Sequence, residues 1–197
     1  MRLSFTGLIA LAALAAPLAA CDNEPPPRQE FADLRFTAEP PLRLNVAAIE
    51  IDDEYRPNFD APHYEQRFPI PLPHVADNWA RDRLQAVGTS GRAVAVVVDA
   101  SAVEIRLPKE TGITATFTDQ LDTQYHARVG IRVQARDDRG GTTRLAEAHA
   151  ERSVTTVEGT TLDERDRMLY RMETELMAEL DRQLETQIRN NFGNTVE

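Results

Sequence analysis

The stretch that decides the fold is QYHARVGIRVQARDDRGGTTRLAEAHAER, residues 124–152. Apolar and polar residues alternate along its first half, and the alternation resumes after DDRGG, residues 137–141. Alternation with a period of two predicts β-strands with one buried face, and a run rich in Asp and Gly predicts a turn. The stretch therefore predicts an antiparallel β-hairpin.

The side chains also predict the pairing register of this hairpin. With Asp137 opposite Thr142, the inner face carries three apolar pairs: Val133 with Ala146, Ile131 with Ala148, and Val129 with Ala150. The same register places two ion pairs on the outer face: Arg132 with Glu147, and Arg128 with Glu151. A slip of one residue would lose both agreements, because it exchanges the two faces of one strand. The alanines on one strand predict that a helix can approach this face closely.

A long helix is predicted directly after the hairpin. Thr161 and Glu164 have the spacing of a capping box, which marks a helix start. An apolar stripe with helical spacing follows, formed by Leu169, Met172, Leu176, Leu180, Leu184, Ile188 and Phe192. Gly193 then favours the helix end. About 30 residues make a helix of about 45 Å, which is longer than a small sheet needs. Its outer end is therefore one candidate surface for a partner.

The chain before the hairpin predicts three more elements and one long loop. They are a strand over 42–51 with a bulge at 47–48, a proline-rich loop over 52–73, a helix over 74–87 and a strand over 92–107. Gly88 is placed to end that helix, and a loop or weak strand is expected over 108–122. Together the elements predict an α+β domain. Its sheet has about four largely antiparallel strands, with two helices on one face and the C-terminal helix long.

The first 20 residues, MRLSFTGLIALAALAAPLAA, predict a secretory signal peptide. One early cation, a short apolar core and small residues at the end are typical of such peptides. The apolar core is shorter than the roughly 20 residues that span a bilayer. Residues 21–41 follow with Pro25, Pro26 and Pro27, a composition that favours an extended, semi-rigid tether. The predicted organisation is thus a signal peptide over 1–20, a tether over 21–41 and a single domain over 42–197.

Cys21 is the only cysteine of the chain and stands at the end of the signal peptide. Residues 18–21, Leu-Ala-Ala-Cys, resemble the lipobox of bacterial lipoproteins. The resemblance implies cleavage between Ala20 and Cys21, a diacylglycerol on the Cys21 thiol and an N-acyl chain on its new amino group. Two or more acyl chains hold a protein stably on a membrane. The alternative is an ordinary signal peptide followed by an unmodified cysteine.

The resemblance also implies a location. Lipoproteins of this kind are anchored in the bacterial cell envelope and face the periplasm. Asp22, directly after the cysteine, resembles the signal that retains lipoproteins in the inner membrane, so the inner membrane is favoured over the outer one. With Cys21 lipidated, no cysteine remains for a disulfide or a thiolate metal site.

The chain has 22 basic and 32 acidic residues, a formal net charge of −10. Removing residues 1–20 takes away one Arg and no acid, so the mature charge becomes −11. A protein this acidic is poorly suited to bind nucleic acid, whose backbone repels negative charge.

We find no motif that predicts catalysis, a metal site or a cofactor beyond the acyl chains. The run GTSG, residues 88–91, lacks the lysine of a phosphate-binding loop. His126 and His149 share the outer face of the hairpin, where solvated side chains are expected and a weak surface metal site is the alternative. The run DDE, residues 52–54, is expected to be a solvated turn; calcium binding is its alternative. These observations predict a protein that is not an enzyme. A hydrolase is the third hypothesis, after the two binding functions described next.

The order of elements behind a lipobox and tether resembles small envelope lipoproteins that assist transport machines. Examples are the lipopolysaccharide-assembly lipoprotein and the auxiliary lipoproteins of ABC-type lipid transporters. The resemblance implies an accessory or docking subunit of an envelope transport or assembly system, with a protein partner there. The candidate docking residues are the loop aromatics, which could instead cover the sheet edge: Tyr55, Phe59, Tyr64 and Phe68. The alternative function is binding of a small hydrophobic or lipid ligand between sheet and helices.

Overall fold

The computed structural model describes residues 29–108, 120–136 and 143–192. The described part contains six strands and two helices, with one turn of 3₁₀ helix at Glu65–Arg67. The strands are β1 (Leu42–Leu44), β2 (Ala48–Asp53), β3 (Leu84–Ala86), β4 (Arg92–Arg106), β5 (Leu121–Arg136) and β6 (Arg144–Val157). The helices are α1 (Leu72–Arg83) and α2 (Leu162–Phe192). Neither helix is long and apolar enough to cross a membrane.

The main sheet has four strands in the order β2-β4-β5-β6. β4 and β5 pair antiparallel, as do β5 and β6, whereas β2 runs parallel to β4. β1 and β3 form a separate small sheet of two parallel strands. The predicted α+β class and the largely antiparallel sheet are confirmed, and the parallel β2 makes the sheet mixed.

The hairpin of β5 and β6 has the predicted register. Val133 pairs with Ala146, Ile131 with Ala148 and Val129 with Ala150. All six side chains are buried. On the outer face Arg132 pairs with Glu147 and Arg128 with Glu151. The predicted turn over 137–141 lies outside the described residues, as do positions 109–119 of the predicted loop over 108–122.

α2 begins with the predicted capping box. The Glu164 N–H donates to Thr161 Oγ1 at 3.3 Å, and the Thr161 N–H donates to Glu164 Oε2 at 2.9 Å. Such reciprocal bonds satisfy donors that a helix start leaves unpaired. All seven residues of the predicted apolar stripe are buried. Gly193, the predicted end, lies outside the described residues.

The last turns of α2 reach the free edge of β6. The Asn191 side-chain amide donates to the Leu145 carbonyl at 2.8 Å, and the Glu147 N–H donates to Gln187 Oε1 at 3.4 Å. Because β6 pairs only with β5 in the described sheet, these groups would otherwise lack a partner within it. The helix thus hydrogen-bonds to the edge of the sheet as well as covering its inner face.

The predicted strand over 42–51 is wrong in one respect, because it is two strands in two different sheets. The predicted bulge at 47–48 is the point where the chain turns between them. The Val46 N–H donates to the Leu44 carbonyl at 2.8 Å, and the Ala47 N–H donates to the Ser90 carbonyl at 3.1 Å. These bonds hold the turn between Leu44, the last residue of β1, and Ala48, the first residue of β2.

The predicted helix over 74–87 is shifted. α1 ends at Arg83, and Leu84 takes an extended conformation. The next three residues form β3, since they pair with β1. Gly88 therefore does not end a helix. Its N–H donates to the Val46 carbonyl at 3.0 Å, and its Cα passes close to the backbone of residues 45–46.

We expect Gly88→Ala to lower the free energy of unfolding by about 2 kcal/mol or more, a typical cost of overpacking. The added Cβ would lie 2.6 Å from the Asn45 carbonyl carbon and 2.7 Å from the Val46 nitrogen. Backbone atoms cannot give way as a side chain does. Urea denaturation followed by circular dichroism measures the change.

Gly159→Ala is the matched control. Gly159 has a positive φ of 83°, but no atom lies within 4 Å of an added Cβ. Its substitution should cost only the backbone penalty of about 1 kcal/mol. Equal losses in the two variants would contradict a steric role for Gly88.

Candidate functional site

The loop between β2 and α1 is held in place by one buried carboxylate, that of Glu65. Glu65 Oε1 accepts hydrogen bonds from the Tyr55 hydroxyl at 2.7 Å and the Asn58 N–H at 3.1 Å. Glu65 Oε2 accepts from the Tyr64 N–H at 3.2 Å and the Ala102 N–H at 3.3 Å. Because Ala102 belongs to β4, these bonds tie the loop to the sheet.

Burial raises the pKa of Glu65, since it disfavours the charged form. The hydrogen bonds from the Tyr55 hydroxyl and from backbone N–H groups act in the opposite direction and outweigh the burial. The pKa of Glu65 is therefore lower than its ordinary value. Glu65 is ionised at neutral pH and accepts all four hydrogen bonds in that state.

The four aromatic residues predicted to dock a partner occupy different environments. Tyr64 and Phe68 are buried, Tyr55 is half-buried and Phe59 is 75% exposed. The Tyr64 ring lies 5.0 Å from that of Tyr125 on β5, measured between centroids. Tyr64 and Phe68 thus cover the sheet, which was the alternative to docking. Of the four, Phe59 is the most exposed in this conformation of the loop.

A second ordered segment lies on the two helices. We call residues 31–36 the strap. The Phe31 ring lies 5.0 Å from the Tyr170 ring of α2, and the Tyr170 hydroxyl donates to the Ala32 carbonyl at 3.0 Å. Leu34 and Phe36 pack against the core. The predicted tether over 21–41 is therefore bound to the domain along part of its length.

Polar contacts with α1 complete the docking of the strap. The Asn78 side-chain amide donates to both Asp33 carboxylate oxygens at 3.1 Å and to the Leu34 carbonyl at 3.2 Å. Arg35 forms a two-bond ion pair with Asp82. The hydrogen bond from Arg35 lowers the pKa of Asp82, so this pair is charged at neutral pH.

Arg83, at the end of α1, joins three parts of the chain. Its side chain is 1% exposed. Nε donates to Asp181 at 2.7 Å, Nη2 donates to Glu185 at 2.7 Å, and Nη1 donates to the Pro40 carbonyl. Both acids belong to α2. A buried guanidinium needs such partners, because leaving it without them would cost several kcal/mol.

Glu173 on α2 is buried in a different way. Its side chain is fully buried, and neither carboxylate oxygen has a hydrogen-bond partner among the described residues. Burial raises the pKa of Glu173 to about 9, and the nearby Asp33 adds to the rise. The Ile70 backbone offsets part of it without forming a hydrogen bond of good geometry. Glu173 is therefore protonated at neutral pH.

The histidines of the hairpin lie on its outer face, as predicted. His126 Nδ1 lies 2.9 Å from Ser153 Oγ, and His149 Nε2 lies 3.0 Å from Glu147 Oε1. The described ranges contain no group of three or more His, Cys, Asp or Glu side chains placed to hold a metal ion. The predicted turn over 52–54 is wrong in part, because Asp52 and Asp53 are the last residues of β2, although all three residues are exposed as expected. Glu54 Oε2 lies 3.7 Å from Arg132 Nη1.

A cavity of about 320 Å³ lies where β4, β5, β6 and the start of α2 meet. Charged residues line much of it, including Glu104, Arg106, Asp122 and Arg165. The predicted ligand site lies elsewhere, between sheet and helices. In the described part of the chain, that interface holds buried Ala, Leu and Met side chains, and no observation favours an apolar ligand there.

The predicted lipidation site and its neighbours lie outside the described residues. Lipidation of Cys21, cleavage between Ala20 and Cys21, and retention by Asp22 stay predictions. So do the absence of a catalytic residue and of a cofactor other than the acyl chains.

Sequence reasoning missed the three buried charged or ionisable residues of these sites. Two of them had a signal. Glu173 follows Leu169 by four positions and precedes Leu176 by three, which places it on the apolar face of α2. Arg83 follows Trp79 by four positions on the apolar face of α1. Glu65 lies in a loop without periodicity, so no pattern marks it.

No protein-family model matches this chain, and no curated protein matches it. The solved structures to which this chain is similar include two lipoproteins. One is a minor lipoprotein from Acinetobacter baumannii, with 12% sequence identity and a TM-score of 0.38, over 78% of this chain and 96% of that one. The other is the rare lipoprotein B from Shewanella oneidensis, with 11% identity and a TM-score of 0.38, over 73% and 95%. At these values the likeness carries no argument about function.

We expect Glu65→Gln to lower the free energy of unfolding at pH 7 by about 2 kcal/mol. Glutamine has one acceptor oxygen where glutamate has two. Its amide group, itself a donor, would therefore face two of the four donors that Glu65 accepts from, and those two hydrogen bonds would be lost. Urea denaturation gives the stability, and hydrogen exchange of residues 55–64 reports whether the loop loosens.

The stability difference between wild type and Glu65→Gln should depend on pH. Because the pKa of Glu65 is lowered by folding, its carboxylate stabilises the fold above the unfolded pKa of about 4.5. That contribution is lost as the pH falls through the folded pKa. The stability gap between wild type and Glu65→Gln should therefore shrink at pH 3. A gap that stays constant with pH would show that the charge of Glu65 has no role.

Proposed function

We propose that this protein is a membrane-anchored lipoprotein of the bacterial envelope that serves a transport or assembly system as a non-enzymatic docking subunit. The observation that carries the proposal is Phe59, a large aromatic side chain that is 75% exposed in an ordered loop. The Glu65 carboxylate fixes the backbone on both sides of it, at Asn58 and at Tyr64.

A fixed, exposed aromatic residue suits a docking role for two physical reasons. Aromatic side chains bury a large apolar area and provide much of the binding energy at protein interfaces. A loop that is ordered before binding loses less conformational entropy when the partner arrives. In this loop the Asp60 N–H donates to the Asn58 side chain at 3.0 Å, which fixes the residues directly around Phe59.

The anchor is the second part of the proposal. The signal peptide and Leu-Ala-Ala-Cys at 18–21 support lipidation of Cys21. Seven residues separate Cys21 from Gln29, the first described residue, and the eight steps of chain between them span at most about 28 Å. The strap begins two residues later. A lipidated Cys21 would thus keep the domain close to the membrane, on the periplasmic side.

We expect Phe59→Ala to reduce recovery of the envelope partner about tenfold or more, the effect of losing one aromatic interface residue. The measurement is crosslinking of the acylated protein in its native envelope, followed by purification and quantification of the partner. Leu162→Ala is the matched control, because Leu162 is also strongly exposed, at 68%, but lies at the start of α2. A partner recovered equally with Phe59→Ala would exclude this surface, and no stable partner for wild type would exclude the docking role.

We expect Cys21→Ser to move the protein from the membrane fraction to the soluble periplasmic fraction. Serine has no thiol to carry the diacylglycerol, and the domain has no described helix that could span a membrane. Fractionation of cells that express each form provides the measurement. A Cys21→Ser protein that stays with the membranes would contradict the lipid anchor.

A further inference from the structure

The strap passes close to Glu173. Phe31 and Ala32 contact Tyr170, which precedes Glu173 by one helical turn on α2. Asp33, the next residue of the strap, is close enough to interact with the Glu173 carboxyl. The peptide of Ile70, just before α1, approaches the same carboxyl. Because the strap is bonded to Tyr170 on α2 and to Asn78 on α1, it bridges the two helices beside this buried carboxyl.

Among the residues that the structure describes, no cationic side chain contacts the Glu173 carboxyl. From the strap, Asp33 is itself an acid. From α1, His74 lies 3.3 Å from Asp33, and the Asn78 amide donates to Asp33. From α2, the Tyr170 hydroxyl is used by Ala32. Among the described residues, Glu173 has no ion-pair partner, so its charged form would be buried beside a second acid.

We propose that residues 31–36 form a proton-dependent strap, which stays docked while Glu173 is protonated and is released when Glu173 ionises. Release would expose the carboxyl to water and remove Asp33 from its neighbourhood, which relieves both unfavourable effects. The remaining docking contacts, such as the Arg35–Asp82 pair, hold the strap in place when the carboxyl is neutral.

The direction of the pH effect follows from proton linkage. In the docked state the pKa of Glu173 is about 9, whereas an exposed glutamate has a pKa of about 4.3. Between these values the docked state binds one more proton than the released state. Rising pH therefore weakens docking by up to about tenfold per pH unit in this window. Below about pH 4 the contribution of Glu173 to docking is constant.

Release would change how far the domain can reach from an anchor at Cys21. With the strap docked, the chain from Cys21 to Gln29 spans at most about 28 Å. With the strap released, the chain from Cys21 to β1, twenty-one residues later, spans at most about 70 Å. This consequence rests on the lipid anchor of the proposed function, but the proton-dependent docking does not.

Hydrogen exchange measured by mass spectrometry tests the strap. The full acylated protein in detergent is labelled at several pH values between 5 and 9, with correction for the intrinsic exchange rate. In wild type the protection of residues 31–36 should fall by up to about tenfold per pH unit. In Glu173→Gln, which is neutral at every pH, the protection should be nearly independent of pH. Unchanged protection of β5 and α2 shows that the variant is folded.

Two further variants test whether the pH dependence is due to Glu173. His74→Gln is the matched control, because His74 is another ionisable side chain beside Asp33. This variant should retain the pH dependence. The proposal is overturned if strap protection in wild type does not change with pH, or if the change persists in Glu173→Gln and disappears in His74→Gln. If Glu173→Gln disturbs the packing, Glu173→Met provides a second neutral variant. Its strap protection should also be nearly independent of pH.

Discussion

The rest of the structure depends on the register in which β5 pairs with β6. This register gathers the alanines of β6 on the inner face and the charged residues on the outer face. Alanine side chains are short, so α2 can lie close to the sheet and bury its whole apolar stripe. α2 and α1 then form the two sides of the groove that the strap occupies. A hairpin paired one residue out of register would remove the surface on which both helices rest.

Among the described residues, three acidic or basic side chains are buried, and each is stabilised by a different means. Glu65 keeps its charge because four donors surround its carboxylate. The Arg83 guanidinium is paired with the carboxylates of Asp181 and Glu185. Glu173 has neither kind of partner and is protonated instead. The first two fix a loop and a helix pair. Glu173 is the residue whose environment opposes ionisation.

Much of the fold follows from local patterns, and the parts that do not follow depend on distant contacts. The hairpin and α2 were predictable because long periodic segments carry strong signals. The division of residues 42–53 into β1 and β2 was not, since it is set by pairing with β3 and β4, far along the chain. Docking of the strap was hidden for the same reason, as Asp33 and Asn78 are distant in sequence. The sequence of the aromatic-rich loop likewise does not show that Phe59 is exposed while Tyr64 and Phe68 are buried, because this difference depends on tertiary packing.

The contacts of Gln187 and Asn191 with β6 affect how copies of this protein behave at high local concentration. An uncovered edge strand offers its backbone groups to any other extended chain. Here one donor and one acceptor of the edge are already occupied by α2. At this end of β6, a neighbouring chain would have to displace the helix before it could extend the sheet. The same helix that completes the core thus protects against fibril-like polymerisation.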